Sequence, residues 1–291
     1  RATNVRNVGM CHEMPMGVRR LARRLRVNPD DIEARASGIN HFTFFTELRN
    51  RRTGEDLLGK VRAWYERSFF DYSPRTQRVA RFLDRTMAGA GLVEFNYMPL
   101  VAHVVRDYGL VPCSVDSHIG EYLPFALDTS DWMPTPIDFH QPFAEVAERA
   151  AAWAADTRVP LPLQVAGMSG EEVIAIIDAM WNDDSTRLMA VNVPNDGLLS
   201  DVAEGTIVEV GAIVDGDGIH PDVMAPLGEP LAGWVNTQAA LQEMVVDAAL
   251  TGDADLAFQA LREDPCSPPD EASCRAMFAE LHQLQADKLP F

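Results

Sequence analysis

Two stretches of alternating polar and apolar character, residues 187–193 and 205–214, constrain this chain more than any other feature. Alternation sends successive side chains to opposite faces of an extended backbone, so each stretch reads as a sheet strand. Asp215-Gly216-Asp217-Gly218 follows at once, a turn of residues that tolerate positive φ, and it closes a hairpin. Residues 36–48 read as one further strand, with Asn50-Arg51-Arg52-Thr53-Gly54 as the turn behind it. Elsewhere the apolar period is helical. Residues 76–87 and 95–108 carry it, the latter with a stripe of Leu100, Val101, Val104 and Val105. Residues 132–142 are proline-rich and irregular, and residues 143–157 form an alanine-rich helix. Ser169-Gly170-Glu171-Glu172 caps a helix over 173–180, its serine oxygen and carboxylates meeting the free N–H groups. From 237 onward the chain is helical, broken at Gly252 and at Cys266-Ser267-Pro268-Pro269. The expected fold class is α/β of the α+β type, a mixed or antiparallel sheet flanked by long helices. No internal repeat is present.

With 291 residues, 47% of them hydrophobic, the chain can bury one large core or two intimate ones. A net charge of −18 argues against nucleic acid as a partner, because a phosphate backbone would be repelled. No apolar run reaches the ~20 residues that cross a bilayer, so no membrane partner is expected. Four scattered cysteines make no disulfide framework and fit a reducing cytoplasm. Arg19, Arg20, Arg23, Arg24 and Arg26 crowd an early helix that opens after Gly17 and ends near Asn28-Pro29. The plain reading is a solvated face with Leu21 and Leu25 turned inward. The sharper one pairs that face with acidic segments of this chain or of a second subunit.

Three motifs carry chemistry. Gly9-Met10-Cys11-His12-Glu13-Met14-Pro15 and Gly38-Ile39-Asn40-His41-Phe42 each set a good metal ligand among loop formers. A thiolate and an imidazole from separate segments suit one divalent ion and leave its remaining positions open. Asp116-Ser117-His118-Ile119-Gly120-Glu121-Tyr122 is dense in groups that move protons. Cys113, Cys266 and Cys274 read as packing residues, and His103 as a helix-surface or core histidine. His140, His220 and His282 lie near turns or ends without a motif. Gly89-Ala90-Gly91-Leu92-Val93-Glu94 is no dinucleotide loop, since it lacks the third glycine and falls between helices.

Taken in order, these motifs resemble the NAD-dependent glycoside hydrolases of family 4. Val191-Asn192-Val193-Pro194-Asn195-Asp196-Gly197-Leu198, Ile207-Val208-Glu209-Val210 and Asp215-Gly216-Asp217-Gly218-Ile219-His220-Pro221 carry the likeness further. So do Ala248-Ala249-Leu250-Thr251-Gly252-Asp253 and the ending Lys288-Leu289-Pro290-Phe291. The resemblance implies that residues 1–291 are a C-terminal metal- and substrate-binding domain related to that of lactate and malate dehydrogenases. Family members begin with a Rossmann domain that this sequence is expected to lack, so the chain reads as a fragment opening at Arg1-Ala2-Thr3-Asn4 without methionine or signal peptide. Most of the NAD site would lie outside it.

The chemistry so implied is oxidation of the sugar at C3, metal-stabilised elimination across C1–C2, addition of water, and re-reduction. The resemblance assigns Cys11 and His41 to the metal, with Mn2+ as the usual ion. It assigns Asp116 as the base at C2, with Tyr122 as its local rival, His12 to the leaving group, and Asn40, Asn192 and Asn195 to the substrate. His12 after the cysteine points to unphosphorylated α-glycosides. Glu13 leans the choice toward α-glucuronides or α-galacturonides, otherwise α-galactosides or α-glucosides. A small carbohydrate and a homo-oligomer, dimer or tetramer, are the expected partners. The rival readings are an NAD-dependent dehydrogenase of a hydroxy acid or sugar, which would need no metal-binding cysteine, and a non-catalytic oligomerisation domain.

Overall fold

The computed structural model describes residues 7–67, 98–126, 140–156 and 172–289. Helix α1 (Glu13–Leu25) places Glu13 in its first turn and Arg23 and Arg24 in its last, the arrangement that suits the helix dipole. Arg26 ends it in the left-handed conformation. The helix starts earlier than the sequence predicts and contains Gly17. A Cβ at Gly17 would lie 2.4 Å from the Cys113 carbonyl oxygen, so the glycine sets how closely α1 packs. Met14, Val18, Leu21 and Ala22 form its buried face. Its arginines are only partly solvated. Arg20 is buried and donates to the carbonyls of Pro112 and Cys113 at 3.3 and 3.1 Å, and Arg24 lies 3.5 Å over the Trp64 ring.

The expected single strand over 36–48 is two strands, β1 (Ile32–Ile39) and β2 (Phe42–Asn50), paired antiparallel about a tight turn at Asn40 and His41. Next come α2 (Leu57–Arg67), α3 (Pro99–Tyr108), β3 (Val111–Pro112), the short α4 (Asp116–Ile119) and α5 (His140–Ala155). Pro99 opens α3, where its missing N–H costs nothing, and Gly109 closes it in the left-handed conformation. Helix α6 (Val173–Asn182) leads into β4 (Thr186–Pro194), β5 (Ile207–Asp215) and β6 (Gly218–Pro221). The hairpin at Asp215 to Gly218 stands where the alternation put it. Helices α7 (Leu231–Thr251), α8 (Ala254–Glu263) and α9 (Glu271–Leu284) complete the chain, with the breaks at Gly252 and after Cys266 as expected. The expected helix at 76–87, the glycine run at 89–94, most of 132–142 and the capping residues 169–171 lie outside the described residues. No helix among the described residues is long and apolar enough to cross a membrane.

The six strands form one sheet in the order β3-β2-β1-β5-β4, with β6 also on β5, and every pairing is antiparallel. Its core holds Phe42, Phe44, Leu48, Leu188, Val208 and Val210 against Leu21, Leu57, Leu100 and Ile119. Each such side chain contributes about 1.5–3 kcal/mol by leaving water. One transverse row crosses the sheet and ties in the segment that precedes α1. Thr43 pairs with Gly38, Gly38 with Glu209, and Glu209 with Asn192, while Asn192 bridges to Gly9. Directly opposed residues share a face, so Thr43, Glu209 and Asn192 project to the same side.

Candidate active site

The candidate residues come from the two segments at the ends of this row and from the helices α1 and α4. The segment Gly9–Cys11 runs beside β4, fixed by Gly9 N–H to the Asn192 carbonyl at 3.0 Å and Asn192 N–H to the Gly9 carbonyl at 2.8 Å. Cys11 and His12 then lead straight into α1, and the backbone N–H groups of Glu13 and His12 point at the Cys11 sulfur. Burial pushes the Cys11 thiol up to about 11, with those N–H groups pulling the other way. A cation bound there must displace the thiol proton.

The β1–β2 turn supplies the second element. His41 takes φ 64°, the left-handed region that glycine enters freely and a histidine enters at a cost. That conformation holds the half-buried imidazole against His118 of α4, the two rings stacked with centroids 4.3 Å apart and planes within 8°. Burial lowers the His41 pKa, and the neighbouring His118 charge lowers it further. Neutral imidazole is the form that ligates metals.

Glu13 completes the group. Its carboxylate lies 3.2 Å from His118 Nδ1 and accepts from the Ser114 hydroxyl at 2.6 Å, and Ser114 Oγ also lies 2.9 Å from His118 Nδ1. Burial opposes ionisation of Glu13, but the hydrogen bonds from His118 and Ser114 and the nearby histidine charges overcome it and hold its pKa at about 2. Ligand atoms of Glu13, His41 and His118 all lie within 4.8 Å of one another, spacing that one metal ion can bridge.

The structure distributes the remaining expected residues unevenly. His12 caps α1 with Nε2 3.9 Å from Glu13 Oε1, so it borders the group. Tyr122 donates its hydroxyl to the Asn40 carbonyl at 3.0 Å and stacks on Phe42, bracing the turn that carries His41. Burial pushes its pKa to about 12, so it stays protonated. Asn40 is exposed at the turn. Asn192 is buried, its amide nitrogen donates to Glu209 at 3.0 Å, and its Oδ1 has no partner among the described residues.

Two expectations need correction. Asn195 is turned inward: its amide donates to the carbonyls of Leu199, Val202 and Ala203, and its oxygen accepts from Leu199 N–H. It clamps the loop between β4 and β5 and offers nothing to a substrate. Asp116 spends both carboxylate oxygens on the first N–H groups of α3, Leu100 at 3.0 Å and Val101 at 2.9 Å. Residues two apart on a helix point about 200° apart, so with His118 facing His41, Asp116 faces away. It is a helix cap, which the base assignment did not foresee.

Ser114, His118, Thr43 and Glu209 are the residues to which sequence reasoning gave no role, and Glu13 it read only for the choice of sugar. The first three stood inside or beside motifs already noted. Glu209 had a signal of its own, an acid flanked by Val208 and Val210 inside the strand Ile207–Asp215.

Residues 36–267 match the family described as family 4 glycosyl hydrolase C-terminal domain. The chain belongs to family 4 of the glycosyl hydrolases. An alpha-glucosidase of Erwinia rhapontici is 28% identical over 284 residues, covering 93% of this chain and 59% of the relative. An alpha-galacturonidase of Bacillus subtilis is 28% identical over 298 residues, covering 96% and 62%. The chain thus spans about three fifths of the length of these family 4 relatives. Among solved structures, the glucosidase lplD of Bacillus subtilis is 25% identical with a TM-score of 0.69, covering 95% of this chain and 63% of that one. A 6-phospho-alpha-glucosidase from gut microorganisms, solved with NAD and Mn2+, shares the fold at 19% identity and a TM-score of 0.70, covering 97% and 61%.

Proposed function

We propose that these residues form the metal- and sugar-binding part of an NAD-dependent α-glycosidase acting on unphosphorylated sugars, with uronides as the favoured class. The observation that carries this reading is the convergence of Glu13, His41 and His118 within 4.8 Å of one another, with Cys11 at the head of the helix that carries Glu13. The donor set fits a divalent cation: one thiol, an imidazole whose pKa burial lowers, and a carboxylate that stays ionised. Cys11 and His41 are the residues we assign to hold it, with Glu13 beside them. When bound, the ion supplies Lewis-acid stabilisation of charge on sugar oxygens.

The chain's own groups then divide the remaining work. His118, oriented by Glu13 and Ser114, is the group we assign to move the proton at C2, in place of Asp116. His12, at the edge of the group, faces the leaving-group side. No residue of this chain is assigned to NAD, because the described strands pair only antiparallel and offer no parallel βαβ unit with its glycine turn. Relatives named for α-glucosides, α-galacturonides and α-galactosides support the α-glycoside class.

The test has two parts. Titration of the chain with Mn2+ or Co2+ should show one tight site, weakened severely by Cys11→Ser and by His41→Ala. A protein carrying these residues joined to a dinucleotide-binding domain should cleave aryl α-glycosides only with NAD and metal. In deuterated water it should place deuterium at C2 of the product. Cleavage that ignores NAD and chelator would refute the assignment and point to paired carboxylates.

A further inference from the structure

The row Thr43–Gly38–Glu209–Asn192 ends at each of the two ligand-bearing segments. Thr43 follows His41 by two residues, and its hydroxyl lies 2.9 Å from the Ile39 carbonyl, across the turn that carries His41. Asn192 exchanges both its backbone hydrogen bonds with Gly9, two residues before Cys11. Between them Glu209 is fully buried, with Oε1 2.9 Å from the Thr43 hydroxyl and Oε2 accepting from the Asn192 amide at 3.0 Å. Thr43 stands two strands from Glu209, a backbone separation of roughly 10 Å. Gly38 lies between them in the row, and a Cβ there would sit 2.3 Å from the Phe42 carbonyl oxygen and 2.9 Å from Thr43 Cα, so the glycine permits the close approach of β1 and β2 at this point.

Counting hydrogens defines the bridge further. The Thr43 hydroxyl has one hydrogen and two acceptors within reach, the Ile39 carbonyl and Glu209 Oε1. If Glu209 carries a proton, it donates to Thr43 Oγ, Thr43 donates to Ile39, and Asn192 donates to the other carboxyl oxygen. Both Glu209 oxygens and the Thr43 hydroxyl are then satisfied. Its two hydrogen-bonding partners are an alcohol and an amide, so neither supplies a charge to balance a buried carboxylate.

We propose that Glu209 is a positioning residue: a neutral hydrogen-bond bridge that holds the Cys11 segment and the His41 turn at the spacing one metal ion needs. This rests on the metal assignment made above. It goes beyond that assignment in naming what sets the ligand geometry from outside the ligand set.

The experiment uses Co2+ as probe on the 291-residue chain, reading affinity and the thiolate-to-cobalt absorption band together. Glutamine reproduces a protonated glutamate, its oxygen accepting from Asn192 and its nitrogen donating to Thr43, so Glu209→Gln should bind Co2+ within about threefold of wild type. Glu209→Met keeps the bulk and removes the bridge. It should weaken binding by about 10–100-fold, as loss of groups orienting metal ligands does. Thr43→Val should do the same and Thr43→Ser should restore binding, a pair that decides the matter even if the methionine variant does not fold. Glu209→Met or Thr43→Val with wild-type affinity and an unchanged band would overturn the bridge. Glu209→Gln as weak as Glu209→Met would overturn its neutrality, because charge would then be what matters. Wild-type protein lacking a Cys11-dependent band would overturn the metal assignment itself, a separate outcome read before any Glu209 variant.

Discussion

The left-handed conformation of His41 can be separated from the chemistry of its ring by comparing two substitutions. His41→Ala and His41→Gly both delete the imidazole, the stacking on His118 and the contacts of a half-buried side chain, so those losses cancel between them. What remains is the backbone at φ 64°. A Cβ in that region costs about 1–2 kcal/mol, and glycine is free of the cost. Against this, glycine loses more chain entropy on folding, about 0.4–1 kcal/mol relative to alanine. The net expectation is that the glycine variant is more stable than the alanine variant by about 1 kcal/mol. With a urea dependence of about 3 kcal/mol per molar for a chain of this size, the unfolding midpoint should differ by about 0.3 M. Far-ultraviolet circular dichroism over a urea series reads this directly. Both variants should lose Co2+ binding alike, so stability and binding come apart. An alanine variant with a midpoint at or above that of glycine would show that the turn relaxes without strain, and the case for a conformation imposed by function would fall.

Other consequences concern the neighbours of the site. Burial raises Asp116 from 3.8 to about 7 against the pull of the Val101 and Leu100 N–H groups, so the folded state retains a proton that the unfolded chain has released. Stability should therefore fall as pH rises from about 4 to about 7; Asp116→Asn should flatten that slope in melting temperature while leaving Co2+ affinity intact. Glu13 has the opposite sign: its pKa is lowered from 4.5 to about 2, so its stabilisation is present above about 4.5 and vanishes as pH falls toward 2. At neutral pH Glu13→Gln should cost up to about 3 kcal/mol by thermal unfolding and also weaken metal binding, and a variant as stable as wild type would remove the carboxylate from the network. Asn195→Ala should cost about 2–4 kcal/mol by releasing the loop between β4 and β5, yet leave Co2+ affinity unaltered; a large loss of affinity in a still-folded protein would return Asn195 to the site.

Much of the sheet was legible because its signals are local. Alternation along β4 and β5 and the Asp-Gly-Asp-Gly turn need no knowledge of the rest of the chain. The β1–β2 hairpin was missed for an instructive reason. A two-residue turn is announced by glycine or asparagine at the positive-φ position, and here that position is His41. The residue we assign to the metal stands where the residue that marks a turn is expected, and the apolar run through Ile39 and Phe42 then read as unbroken. Helix α1 was placed too late because Gly17 resembles a boundary, whereas its role is close packing against Cys113. In both cases a glycine rule was applied where tertiary contact decided.

The site was legible in its residue types and illegible in its geometry. Cysteine and histidine among loop formers announce themselves. The choice between Asp116 and His118 does not, since both occupy one motif and only helix phase separates them, and that phase is set by α3, whose first N–H groups claim Asp116. Glu209 lies deeper still. Its bond to Thr43 joins residues 166 apart in sequence, across the intervening strand β1. Nothing near Glu209 hints at Thr43 or Gly38, but its setting carried a usable constraint. An acid flanked by Val208 and Val210 in a strand buried along most of its length must find hydrogen-bond partners or give up its charge. Within a sheet those partners come from the same transverse row, which here runs from Thr43, two residues after His41, to Asn192, bridged to Gly9 two residues before Cys11. The sequence thus marks Glu209 as an acid in need of partners, and the strand pairing shows that its partners adjoin the segments of Cys11 and His41.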